Sequence, residues 1–238
     1  MGIVITVGME KGGPGKTTIA TNLAVTCVIA GMRVLLVDAD KQRTTATWAE
    51  GRRDKGIEPP ITCVEKTGKC GRDIAELAEN YDVVIVDAGG HDSIELRQAF
   101  AVADLCIMPL RPCQPDVWTL PAMIKLLDEI EERTGTRPQV RILINGKEAP
   151  KKVRGEYRET KDTRDTVDLI DKSFGGSMPV LKSMVSYRPA FWRAFPEGMS
   201  VIEMPKTARA ESAKEEISNV FSEIFNVELA SVDQSAAA

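Results

Sequence analysis

Residues 10–18 read Glu-Lys-Gly-Gly-Pro-Gly-Lys-Thr-Thr. The second half, Gly15-Lys16-Thr17, ends as a phosphate-binding loop does, G-x-x-x-x-G-K-[ST]. In such a loop the glycines let main-chain N–H groups wrap a phosphate. The helix that follows points its positive end at the same place. Gly12, Gly13, Pro14 and Gly15 would form the cradle. Lys16 would neutralise the β- and γ-phosphates, the Thr17 hydroxyl would bind Mg²⁺, and Thr18 would reach the α-phosphate. The first glycine of the pattern would fall at position 10, which is Glu10, and a second lysine, Lys11, follows at once.

Carboxylates stand at the ends of two further apolar runs. Asp87 closes Val83–Val86, where a phosphate-loop enzyme places the carboxylate that orders the hydration shell of Mg²⁺. Asp38 and Asp40 close Arg33–Val37. One of the two can position the water that attacks the γ-phosphate; we assign that role to Asp40 and place Asp38 with Thr17 and Asp87 at the metal. An isolated Asp-x-Asp would read as a turn or a helix cap. Beside a phosphate loop it reads as chemistry. His91, the one histidine, reads as a polar loop residue. The five cysteines are odd in number and show no C-x-x-C pair, so they read as reduced thiols in apolar surroundings.

These residues need elements to hold them. Ile3–Val7, Arg33–Val37, Ile61–Val64, Val83–Val86, Leu105–Met108 and Val140–Ile144 are short apolar, β-rich runs, and Pro179–Leu181 is a weaker candidate. Between them, Thr17–Ala30, Gln42–Gly51, Asp73–Glu79, Trp118–Arg133 and Thr207–Phe225 read as helices. Lys147–Asp171 is densely charged, with mixed signs, and reads as a solvated helix or a mobile segment. Strands alternating with helices, and apolar on both faces, predict a single-domain α/β fold: a mainly parallel twisted sheet with helices on both faces. The domain is expected over residues 1–227, with a small polar tail over 228–238. In such a sheet ligands sit beyond the carboxyl ends of the strands. The loop, Asp38, Asp40, Asp87 and Asn145 all fall there.

The 238-residue chain is 43% hydrophobic and 28% charged, with a net charge of −4 and a pI of about 5.3. That composition supplies a sizeable core and excludes a globally basic nucleic-acid binder. No apolar run is long enough to span a bilayer and no leader pattern precedes the first strand, so a cytoplasmic protein is expected.

Lys11-Gly12-Gly13-Pro14-Gly15-Lys16-Thr17 resembles the deviant Walker A loop, KGGxGK[ST], of the ParA/MinD ATPases. The resemblance runs on through "VLLVDADKQ", "YDVVIVDAGG", "CIMPLRPCQPD", "ILINGKE" and "YRPAFWRAFPEGMSVIE", and so covers nearly the whole chain. It implies a P-loop NTPase fold, ATP and Mg²⁺ as cofactors, and an ATP-dependent homodimer. In that dimer Lys11 crosses to the phosphates of the other subunit, and Asn145 lies near the adenine. Lys41 departs from the family's usual proline in D-x-D-P-Q, which puts the stiffness of that turn in doubt.

The first strand begins at Ile3, leaving no room for an N-terminal DNA-reading domain, as in the small ParA type. The resemblance then implies non-specific binding of double-stranded nucleoid DNA in the ATP state. It also implies a ParB-like or cargo-adaptor partner that stimulates an otherwise weak ATPase, and partition of a plasmid or chromosome locus. Lys182, Arg188, Arg193, Lys206 and Arg209 are the candidate DNA contacts; the cluster Lys151, Lys152 and Arg154 is diluted by Glu148 and Glu156. A carboxysome or chemoreceptor array is the alternative cargo. A MinD-like membrane ATPase would need a basic amphipathic C-terminal helix, which "FNVELASVDQSAAA" lacks, so stable membrane association is not expected. A dethiobiotin-synthetase-like ligase would keep the loop without needing Lys11.

Overall fold

Alternate residues of each central strand face opposite sides of a sheet, and here both sides are covered. In the computed structural model, which describes residues 2–90, 92–153 and 155–225, β2 (Val34–Ala39) and β4 (Val83–Ala88) are buried at every position. Leu35, Val37, Val84 and Val86 face one helical layer, and Val34, Leu36, Val83 and Ile85 face the other. This is why the sequence shows continuous apolar runs rather than alternation.

The remaining strands are β1 (Ile3–Val7), β3 (Thr62–Glu65), β5 (Leu105–Leu110), β6 (Gln139–Lys147) and β9 (Val185–Ser186). With β2 and β4 they form a seven-stranded sheet in the order β3-β2-β4-β1-β5-β6-β9, parallel at every pairing. One layer of helices comprises α3 (Gly71–Ala78), α4 (Ile94–Ala101), α6 (Leu120–Thr134) and α7 (Lys161–Phe174). Ile74, Leu96, Phe100, Met123, Leu127 and Ile170 enter the core from that side. The other layer comprises α1 (Lys16–Ile29), α2 (Thr44–Asp54), α8 (Pro189–Ala194) and α9 (Ala208–Phe225). Helix α1 is buried nearly all round, because α9 and the 3-10 turn Val201–Glu203 cover the face it turns away from the sheet. A helix hidden on all sides cannot show an amphipathic stripe.

The chain departs from its sequence pattern in several places. Lys147–Asp171 is neither one solvated helix nor an open segment. It folds as an antiparallel hairpin, β7 (Lys151–Val153) with β8 (Glu156–Arg158), followed by α7, which buries Thr163, Thr166 and Ile170. A two-stranded hairpin needs an anchor; buried Lys147 supplies it, pairing with Glu159 at 2.9 Å just past β8. Pro179–Leu181 contributes only an isolated bridge, Val180 to Ile142, and the edge strand is β9. The helix predicted over Trp118–Arg133 is α6, preceded by a separate turn of helix, α5 (Gln114–Val117). His91, Arg154 and the expected tail 228–238 lie outside the described residues, as does the side chain of Arg209.

Candidate functional site

The carboxyl ends of β1, β2 and β4 meet at the phosphate loop. Gly13 and Gly15 have φ of 88° and 92°, a left-handed conformation that costs glycine little and other residues strain. A Cβ on Gly15 would lie 2.2 Å from Asn145 Nδ2. Asn145, at the end of β6, donates that nitrogen to the Pro14 carbonyl at 2.6 Å and so braces the loop from the side. Helix α1 starts at Lys16 with no side-chain cap and no acidic residue in its first turn. Its first N–H groups are therefore open to an anion.

Lys16 is only 8% exposed. Its ammonium donates to the Lys11 carbonyl at 3.1 Å, across the mouth of the loop. Burial lowers its pKa, opposed by the charges of Asp87 and Asp40. Asp87 is buried, and burial pushes its carboxyl up to about 6, against the pull of two hydroxyls. Those hydroxyls, Thr17 Oγ1 at 2.7 Å and Thr45 Oγ1 at 2.6 Å, both donate to Oδ2. No described donor is bonded to Oδ1. Asp40 is half-buried beside Gly89, where a Cβ would come 3.1 Å from the carboxyl carbon, and it accepts from Gln42 N–H at 3.0 Å.

Asp38, expected at the metal, is engaged by the main chain. It lies in register with Asp87 on the adjacent strand, but its oxygens accept the main-chain N–H groups of Asp40 at 2.9 Å and Ala46 at 2.8 Å. It holds the turn between β2 and α2. Burial raises its pKa, against these two hydrogen bonds.

Lys11 points the other way. It donates to Asp116 Oδ1 at 2.5 Å. Asp116, at the start of α5, also accepts from the main-chain N–H and guanidinium of Arg111. Burial alone would raise the Asp116 carboxyl, but the donors Arg111 and Lys11 outweigh it and hold it at about 2. Sequence reading missed this pair and Thr45. Lys11 and Asp116 lie in the motifs quoted above and Thr45 just past one of them, yet the contacts join residues 105 and 42 positions apart and no local pattern announces them.

Beside the loop is a cavity of about 250 Å³, walled by Pro14, Thr18, Arg111, Asn145 and the aromatic residues Phe191 and Trp192. Tyr187 and Trp192 pack against each other with ring centroids 5.7 Å apart. The cavity could take a flat heterocycle whose phosphates lie in the loop. A nucleotide with Mg²⁺ fits the residues present: open helix N–H groups and a buried ammonium for the anion, and hard oxygen donors on Thr17 and Asp87 for the cation. Among the described residues no cluster of three or more His, Cys, Asp or Glu could hold a metal ion alone.

Of the candidate DNA contacts, Lys182, Arg193 and Lys206 are exposed. Arg188 is not available in the same way: it is bound by both carboxylate oxygens of Glu216, at 3.0 and 2.7 Å.

A family profile described as "CobQ/CobB/MinD/ParA nucleotide binding domain" matches residues 5–201. The chain belongs to this family, and its loop and fold are those of the ParA/MinD ATPases. It is 27% identical over 224 residues to the Maintenance of carboxysome distribution protein A of Halothiobacillus neapolitanus, spanning 93% of this chain and 95% of that protein. It is 31% identical over 167 residues to the Chromosome-partitioning ATPase Soj of Thermus thermophilus, spanning 58% of this chain and 66% of that one. The structure of Cyanothece McdA in complex with ATP superposes with a TM-score of 0.77 at 13% identity, covering 96% of this chain and 98% of the other.

Proposed function

We propose that this protein is a ParA-type ATPase that closes into a homodimer on ATP and uses that switch to position a cargo. The observation that carries the reading is the direction of Lys11. Lys16 spans the loop mouth, while Lys11 turns away from its own phosphate site onto Asp116. A loop lysine that turns from its own nucleotide can serve the nucleotide of a second copy.

In this reading Lys16 and the first N–H groups of α1 hold the phosphates, Gly12 to Gly15 shape the cradle, and Thr18 reaches the α-phosphate. Asn145 keeps the loop wall in place beside the base. Thr17 and Asp87 hold the cation and its water. Mg²⁺, when bound, neutralises charge on the β- and γ-oxygens. Asp40 orients the attacking water and Asp38 keeps Asp40 in place. Lys11 supplies positive charge to the phosphates held by the second copy, as an arginine finger does.

In the ATP state the dimer binds duplex DNA without sequence preference through exposed cations such as Lys182, Arg193 and Lys206, and an adaptor protein accelerates hydrolysis. Similarity to a carboxysome-distribution protein along nearly the full length of both chains supports a protein assembly as cargo. The shorter match to a chromosome-partitioning ATPase supports DNA. Sedimentation with no nucleotide, with ADP and with ATP tests the switch: a dimer is expected with ATP alone. A monomer under all three conditions sinks it. Random duplex DNA at low salt should shift in a gel only with ATP, and the absence of any shift removes the DNA role.

A further inference from the structure

Of the two hydroxyls on Asp87, only Thr17 belongs to the phosphate loop. The other, Thr45, is fully buried in the first turn of α2. Its neighbour Ala46 gives its N–H to Asp38. One turn of helix thus grips two strand-end carboxylates that lie side by side in register on β2 and β4. The helix does not need this hydroxyl for its own sake. Its N-cap is Arg43, at φ 54°, and no side chain caps it. A threonine near a helix start usually caps or bonds back to a carbonyl; the Thr45 hydroxyl is directed to Asp87 instead.

We infer that Thr45 is a positioning residue for the cation site: it fixes the Asp87 carboxylate through Oδ2, leaving Oδ1 for the hydrated cation, and ties α2 to that carboxylate. This rests on the nucleotide–Mg²⁺ reading of the loop. Thr17 answers to both the carboxylate and the cation. Thr45, sealed from solvent, answers only to the carboxylate, so it holds Asp87 through binding and release alike. Such outer partners orient metal-site carboxylates and set affinity without touching the ion.

The same helix carries its own reporter. Trp48, 3% exposed, lies nearly one turn after Thr45, with the Arg52 guanidinium 5.7 Å from its ring, whereas Trp118 and Trp192 are exposed. In a Trp118→Phe/Trp192→Phe background, Trp48 emission therefore reports on α2.

The test compares Thr45→Val, Thr45→Ala and Thr45→Ser with the parent, each checked for a cooperative melt. ADP affinity is measured by calorimetry in EDTA and across a Mg²⁺ titration with Trp118 and Trp192 in place, because Trp192 walls the base cavity, and Trp48 emission is followed in the double-phenylalanine background as Mg²⁺ is added at saturating ADP. Thr45→Val and Thr45→Ala are expected to raise the half-saturating Mg²⁺ roughly tenfold or more and to lose the Trp48 response. ADP affinity in EDTA stays unchanged, and Thr45→Ser restores both readouts. The inference is overturned if both hydroxyl-free variants titrate like the parent, if they weaken ADP equally with and without Mg²⁺, or if Thr45→Ser restores neither readout. If the parent itself shows no Mg²⁺ dependence, the cation reading fails first and the role of Thr45 falls with it.

Discussion

On the β2–β4 side of β1 the charges are shut in; on the β5 side they are half in water. Asp38 and Asp87 are each 1% exposed and Lys16 8%. The Lys11 and Arg111 side chains are 29% and 43% exposed, around a single sealed carboxylate, Asp116. Buried charges must be met by fixed donors or by a ligand of opposite sign, so the first set is built for a nucleotide and its cation to complete. A half-solvated ion pair costs little to open. The second set is therefore suited to letting one member leave, and in the proposed dimer the one that leaves is Lys11.

The contrast can be broken in order of size. Lys16→Ala removes a buried cation from its anion, which costs about 3 kcal/mol, roughly a hundredfold in ATP affinity; calorimetry should find that loss and no ATP-dependent dimer after it. Lys11→Ala should bind ATP within about twofold of the parent and yet stay monomeric by sedimentation, with turnover down roughly tenfold or more. A dimer as strong as the parent's would return Lys11 to a surface role. Asp116→Asn tests the cis partner of Lys11. Losing about 1 kcal/mol should lower Tm by roughly 2–4 °C, while freeing Lys11 should shift ATP-dependent dimerisation to lower protein concentration. If dimerisation is unchanged, the pair does not restrain the switch.

The smallest effect is in pH. Asp116 is held at about 2, below the ordinary carboxylate range, by Arg111 and Lys11 against the effect of burial. Its folded-state pKa is depressed, so its contribution is present above the usual carboxylate pKa. It is lost as the pH falls through that value towards 2. The stability gap between the parent and Asp116→Asn should therefore be flat above about pH 5 and close on acidification. A gap that widened in acid would mean that the carboxylate is not the stabilising form.

Much of this was legible in the sequence wherever the signal was local. β1, the loop and α1 follow from a β-branched run, glycines and a helix start. Six of the seven strands of the sheet announced themselves through continuous apolar runs. Helix α4 did not, although Ser93 caps it and Leu96, Ala99 and Phe100 lie on one buried face; eight residues give too few turns for the period to show. β9 has two residues and is defined only by its partner. At the site, the identities of the carboxylates were legible but their partners were not. Asp38 shows this best, since nothing in "VDAD" says that its oxygens will meet the N–H groups of Asp40 and Ala46.

Arg52, 1% exposed, is held by Glu203 at both oxygens and by the carbonyls of Pro59 and Gly198. The family profile stops at residue 201, two positions short of that glutamate. A fragment cut at the profile's edge would leave a guanidinium buried without its counter-ion, a loss of about 3–5 kcal/mol, and would strip Ile217, Val220 and Phe221 of α9 from the core. The smallest piece that can stand alone is thus set by an ion pair rather than by the motifs, and it must reach through α9.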